Sequence, residues 1–331
     1  MQRFEQLKQW LKKSLNENDL VLEPVSGDAS FRRYFRVTAS GQSYVVMDAP
    51  PSHEEITPFI RVTRLLERAG INVPQLYAQD IGNGFLLLGD LGREDYLSAL
   101  NEQSANALYG DAISTLLTLQ SACSKDKTLP VYDEEMLQSE MMLFYEWFLG
   151  QHLKVALSGT EYDVLQQSFA LLITNAMAQP QVCVHRDYHS RNLMVCGESS
   201  PGVLDYQDAV MGPVSYDLVS LLRDCYIDWP EAQTYGWVNQ YYQRAFAAGL
   251  LLCDEPQFIE WFDLMGMQRH LKAIGIFARL NYRDGKPNYL EDIPRTFHYL
   301  LKMVEKYPQF SEMASVLKSR SVNSHVSKKA G

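Results

Sequence analysis

The chain has 331 residues, of which 46% are hydrophobic, 11% aromatic and 21% charged. That length fits two domains or lobes, and the balanced composition excludes collagen-like, disulfide-scaffold and disordered classes. Forty acidic against thirty basic residues give a net charge of −10, the reverse of a nucleic-acid-binding footprint, and no apolar run nears the roughly 18 residues of a membrane span. In chain order, residues 1–15 read as an amphipathic helix carrying Phe4, Leu7, Trp10 and Leu11, without the continuous apolar stretch of a signal peptide. Two β-rich runs follow, Phe31–Thr38 and Ser43–Asp48, separated by the hairpin signal Ala39-Ser40-Gly41-Gln42. The Ser26-Gly27-Asp28 turn ahead of them is a place where backbone approaches a ligand closely. Thr57-Pro58 opens a helix, with Thr57 as N-cap, that stops at Gly70. Gly84–Gly92 reads as a buried strand and a glycine-bracketed connector, where we place the lobe boundary. From Tyr96 to about Ala178 the pattern is helical, with long spans at Ala105–Leu119 and Glu134–Leu149. A short β region follows, then helices from Tyr216 to about Tyr307, and residues 319–331 read as a polar tail. The five cysteines form no Cys-x-x-Cys pair, and their odd number argues against a disulfide framework, so a reducing, cytoplasmic compartment is expected.

The chemistry is concentrated in His185-Arg186-Asp187-Tyr188-His189-Ser190-Arg191-Asn192, which fits the kinase catalytic-loop pattern with Asn five residues after Asp. Phosphoryl transfer needs a carboxylate to orient the acceptor hydroxyl and take its proton, and an amide oxygen shortly afterwards for Mg²⁺. Thirteen residues past Asn192, Asp205 ends the β-run Gly202-Val203-Leu204, the place for a second metal ligand. His185 reads as a structural histidine of that loop, and Asp208 and Asp217 as helix caps. A rival reading uses the alternation of His185, Asp187 and His189, which on a strand would point one way and bind Zn²⁺ or Fe²⁺ in a metal-dependent hydrolase. It leaves Asn192 and Asp205 without roles. A binding-only pseudokinase is the third class.

The segments HRDYHSRNLMV and GVLDYQDAVMGPVSYDLVSLL resemble the aminoglycoside phosphotransferase/choline kinase superfamily. The resemblance runs over nearly the whole chain. It implies an α+β, bilobal protein-kinase-like fold, with a small β-rich N-lobe at 1–92 and a larger, mainly helical C-lobe at 93–318. GDASFRRYFRV, YVVMDAPP, LLRDCYIDWP and QRHLKAIGIFARLNYRDGK look, more narrowly, like the bacterial anomeric amino-sugar kinases of cell-wall recycling, which phosphorylate the 1-hydroxyl of N-acetylmuramate and N-acetylglucosamine. By that resemblance Asp187 is the catalytic base and Asn192 and Asp205 hold Mg²⁺. ATP would be bound by Gly27, Asp28, Ser30 and Arg32 over the phosphates and by Gly89, Asp90 and Leu91 at the adenine hinge. His189, Arg191, Arg223, Asp224 and Arg279 would meet the acceptor. One departure is plain: Met47 stands near the position of the usual phosphate-pairing Lys, and the following helix has no Glu in its middle. Arg32 and Arg36, on one face of their strand, are the candidate substitutes, or else an exposed basic face.

Residues Met265–Pro287 hold five basic side chains (Arg269, Lys272, Arg279, Arg283, Lys286) against the single acid Asp284. Arg269, Lys272 and Arg279 share one helical face. Such a face suits an acidic acceptor better than a polycationic aminoglycoside, and its alternative is a solvated face paired with acids from elsewhere. The expected partner is a small amino sugar, with no nucleic acid and no membrane, acting on a monomer. Aminoglycosides and other small alcohols stay open as acceptors.

Overall fold

A computed structural model describes residues 2–25, 31–123 and 128–319 of the chain. These fall into two compact units, one of residues 1–118 with 191–208, the other of residues 119–190 with 209–331. The first unit runs past residue 92 because the connector after that point pairs within it: the Val195 N–H donates to the Glu94 carbonyl at 2.9 Å, and Asp95 bridges Met194.

Helix α1 (Gln2–Leu15) opens the first unit, followed by β1 (Leu22–Pro24), β2 (Arg33–Ala39), β3 (Gln42–Asp48), α2 (Thr57–Arg68), β4 (Leu76–Asp80), β5 (Phe85–Gly89), α3 (Tyr96–Ala99) and α4 (Ala105–Cys123). The strands form one antiparallel sheet in the order β1-β2-β3-β5-β4. The β2–β3 hairpin closes on Ser40-Gly41, both with positive φ, as a two-residue turn matching strand twist requires. Leu7 and Leu11 of α1 pack against Phe35, Val37, Val46, Phe85 and Leu87, so the amphipathic stripe covers one sheet face. Arg3 ties the helix to the buried Asp48 at 2.7 Å. Thr57 is not the cap of α2: the N-cap is Ile56, already helical in φ and ψ, without a side-chain bond. The chain enters α2 from a turn, so Thr57 is inside the helix. Gly70, at φ +78°, ends that segment as expected.

In the second unit α5 (Glu134–Leu143) is capped by Asp133 and continues as a π-helical stretch, Phe144–His152. Then come α6 (Gly159–Met177), with a Ser158/Glu161 capping box, and β6 (Gln181–Val184). The chain crosses into the first unit as the small hairpin β7 (Leu193–Met194) and β8 (Gly202–Val203), and returns as β9 (Val210–Pro213), antiparallel to β6. Four helices follow α7 (Tyr216–Leu222): α8 (Glu231–Ala247), α9 (Glu255–Asp284), α10 (Ile293–Lys306) and α11 (Ser311–Ser319). Helix α9 is the spine of this unit. Its apolar positions Met267, Leu271, Ile274 and Ala278 are buried among side chains of α5, α6 and α10. No helix of the described residues is long and apolar enough to cross a membrane.

Candidate active site

The strand β6 delivers the chain into a loop whose ends are fixed by two buried acids. Asp217, in the first turn of α7, does not cap its own helix. Its carboxylate accepts the N–H of His185 at 2.6 Å and that of Arg186 at 3.0 Å. Burial pushes this carboxyl up to about 7, against the pull of those two bonds. Asp224 accepts from the Ser190 N–H at 3.0 Å and from its hydroxyl at 2.5 Å. Between these anchors His185 Nδ1 accepts the Asp187 N–H at 3.2 Å, and the His189 N–H donates to the Asp187 carbonyl at 3.0 Å. His185 is thus a structural residue of the loop. Arg186 has φ +76°, so 185–189 is not a strand and the alternation that would aim His185, Asp187 and His189 one way does not exist. Among the described residues no cluster of three or more His, Cys, Asp or Glu is placed to hold a metal ion.

Burial works to raise the pKa of Asp187, but Lys272, His189, Arg269 and His185 outweigh it and hold the carboxyl below its ordinary range. Asp187 is therefore ionised at neutral pH. The basic stretch of α9 is not a solvated face: Arg269 and Lys272 are buried. Lys272 Nζ lies 3.1 Å from a Glu140 carboxylate oxygen and donates to the Tyr216 hydroxyl at 3.0 Å. Glu140, itself buried, also takes Arg186 and the Tyr132 hydroxyl. Glu140 carried no signal in the sequence, since it is one acid of a glutamate-rich helix and only tertiary packing selects it.

Of the expected acceptor residues, His189 is buried in the loop with its ring edge-on to Tyr226 at 5.3 Å. Arg223 is buried and bound to Asp263 and, at 2.9 Å, to the Tyr235 hydroxyl; Asp224 anchors Ser190. Both also brace the frame around the loop. Arg279 is half-buried on α9, and Arg191 is exposed in the first unit.

That unit also carries Asn192 and Asp205. The Leu204 N–H donates to the Asn192 carbonyl at 2.9 Å, which extends the β7–β8 pairing by one residue and leaves Asp205 just beyond it. Asp205 stands at φ +62° and accepts from Gln207 Nε2 at 2.8 Å. An amide oxygen and a carboxylate are hard oxygen donors, the types of ligand that suit Mg²⁺. Tyr206, the next residue, bonds Thr63 of α2 at 2.9 Å and packs on Phe59, which ties the Asp205 segment to that helix. Of the expected nucleotide residues, Gly27, Asp28 and Ser30 lie outside the described residues. Arg32 precedes β2 and pairs with Glu54 at 3.0 Å. Arg36 is not an exposed basic face: it grips Asp90 through two bonds, of 2.6 and 2.9 Å. Asp90 also accepts from Ser43 and from the Gly92 N–H. The Gly89 N–H is spent on the Gln75 carbonyl, and the Leu91 carbonyl accepts from Cys196 Sγ. Met47 is buried.

The model of the phosphotransferase enzyme family matches residues 21–252. A curated relative, the N-acetylmuramate/N-acetylglucosamine kinase of Pseudomonas putida, is 45% identical over 95% of this chain and 96% of its own. Among solved structures, choline kinase LicA from Streptococcus pneumoniae superposes with a TM-score of 0.66 at 12% identity, over 91% of this chain and all of LicA. The ADP-bound aminoglycoside phosphotransferase APH(2'')-Ib gives 0.61 at 17% identity, over 90% of this chain and 98% of that one. Those two likenesses establish the protein-kinase-like fold.

Proposed function

Because the chain belongs to the phosphotransferase enzyme family, we propose that it is an ATP-dependent kinase of the anomeric 1-hydroxyl of N-acetylmuramate and N-acetylglucosamine, serving peptidoglycan recycling in the cytoplasm as a monomer. The observation that carries this reading is the 45% identity, over nearly the full length of both chains, to a kinase named for those two sugars.

In the mechanism proposed, Asp187 orients the acceptor hydroxyl and takes its proton as the γ-phosphoryl moves across. An anomeric hydroxyl is more acidic than other sugar hydroxyls, so a carboxylate of depressed pKa is matched to it. Asn192 and Asp205 would hold Mg²⁺, which when bound would supply positive charge to offset that of the phosphates. The remaining work is positioning, and the fixed loop between Asp217 and Asp224 supplies it on the acceptor side.

The test is product analysis by ³¹P NMR with both sugars, an aminoglycoside and choline as acceptors, beside the Asp187→Asn variant. We expect a sugar 1-phosphate from the wild type. The variant should lose roughly 10²–10⁴-fold or more in kcat while still binding Mg·ATP. Phosphate on a 6-hydroxyl, or only on an aminoglycoside, would overturn the acceptor. Near-normal kcat in the variant would remove Asp187 from its role.

A further inference from the structure

We propose that Glu140 is a positioning residue for the reaction: from α5 it binds Arg186 and Lys272 together, and so sets the backbone course into Asp187 and the net charge beside it. The proposal rests on the reading of Asp187 as the base and adds the residue that governs that carboxylate's surroundings.

Glu134 and Glu135 are exposed in the first turn of α5, where the helix dipole favours anions. Glu140 lies about 9 Å further along the helix and is buried. A carboxylate taken out of water needs partners to stay charged. Its Oε1 takes both cations, the Arg186 guanidinium and the Lys272 ammonium, the latter at 3.1 Å. Its Oε2 takes two neutral donors, the Tyr132 hydroxyl and, at 3.4 Å, Gln268 Nε2. Burial opposes the charge of Glu140, but Lys272, Arg186 and Tyr132 outweigh it and hold the carboxyl below its ordinary range.

The two cations reach the catalytic loop by different routes. Arg186 directly precedes Asp187 and has φ +76°, a value that an arginine keeps only where surrounding contacts impose it. Those contacts grip it at both ends: Asp217 accepts its N–H at 3.0 Å and Glu140 takes its guanidinium. Lys272 works by charge. Its Nζ is fixed between Glu140 and the Tyr216 hydroxyl, at 3.0 Å, and the Tyr216 ring packs edge-on to that of Tyr132 at 5.3 Å. Of the charges that hold down the Asp187 carboxyl, that of Lys272 is the largest.

Two cations on one carboxylate leave a single net positive charge beside the loop. A buried charge cluster adds little stability over apolar side chains of the same volume, so what this one contributes is charge and register. Asp187 also feels Arg269 of α9, His185 and His189 of the loop and Asp217 of α7, and the variants below leave those in place.

The test is kcat and KM by ADP release with N-acetylmuramate as acceptor, taken across pH, with thermal melting as the folding control. Glu140→Gln keeps the shape and removes the charge. It should lower kcat ~10-fold or more while KM for ATP stays within about 2-fold, because the loss is one of alignment at the reacting hydroxyl. Glu140→Asp keeps the charge with a shorter reach and should recover part of that kcat. The charge balance is read against Lys272→Met, which moves the acid limb of kcat to higher pH. Adding Glu140→Gln to Lys272→Met leaves Arg186 as the one charge of the cluster, the same net charge as in the wild type, and should carry the limb back down. The double variant removes both members of one ion pair, so the proposal stays testable if Glu140→Gln alone melts. A limb that stays where Lys272→Met puts it or moves further up, a Lys272→Met limb that never moves, or a folded Glu140→Gln with wild-type kcat overturns the proposal while leaving Asp187 as the base. Near-normal kcat in Asp187→Asn overturns the base and the proposal together.

Discussion

Asp187 owes its charge at neutral pH to side chains distant from it in sequence. Burial alone would raise its pKa; Lys272, brought in by α9, is the strongest of the cations that reverse this. Burial opposes the charge of Lys272, but Glu140, Tyr216 and Asp187 together outweigh it and hold its pKa above the ordinary value. Lys272→Met retains the apolar stem and removes the cation, so the pKa of Asp187 must rise. The acid limb of kcat against pH should therefore move to higher pH. A limb that stays put would mean that Lys272 serves Glu140 alone. The identity of Asp187 was legible from five-residue spacing in the loop. Its supports Lys272, Glu140, Asp217 and Asp224 were not, because no local rule links a loop to helices tens of residues away. Asp217 shows this most clearly: read locally it is a helix cap, yet its carboxylate is turned to the backbone of residues 185 and 186.

The elements divide along the same line. Periodicity was enough for α1, the β2–β3 hairpin and most helices, since one apolar face or one positive-φ turn leaves a local mark. The short strands β1 and β4 were missed: β1 has only three residues, and β4, although its burial alternates, runs for only five. The span read as one helix at Glu134–Leu149 changes to π-helical winding from Phe144. Gly275 of α9 faces the point where that change begins. A Cβ there would collide with the Leu143 carbonyl carbon and stand 2.5 Å from the Phe144 nitrogen, both backbone atoms with no room to give. Gly275→Ala should therefore cost about 1–3 kcal/mol, although alanine is the better helix former. Chemical denaturation checks it: an unchanged or raised midpoint would contradict so close an approach of α9 to α5.

At the scale of the whole molecule, the buried Asp217 links stability to pH. Its carboxyl titrates near 7 in the fold against the ordinary 3.8, so between those values the folded chain holds a proton that the unfolded chain has released. The stability it contributes is fully present below about pH 4 and is lost as pH rises through about 7. The difference in melting temperature between wild type and Asp217→Asn should therefore shrink as the pH is raised from about 5 to about 8. A difference that widens instead would show that the two N–H bonds keep Asp217 ionised. The sequence by itself determined the two-part composition, the helical and hairpin segments, the catalytic-loop spacing and the paired candidates Asn192 and Asp205, because each is written in neighbouring residues or a fixed short interval. Only the tertiary structure decided that Arg36 pairs with Asp90, that Arg223 pairs with Asp263, and that Lys272 and Arg269 are buried where their charges act on Asp187. Which cation meets which anion depends on packing between elements far apart in the chain, and a charge's worth is set by the burial and the partner it finds there.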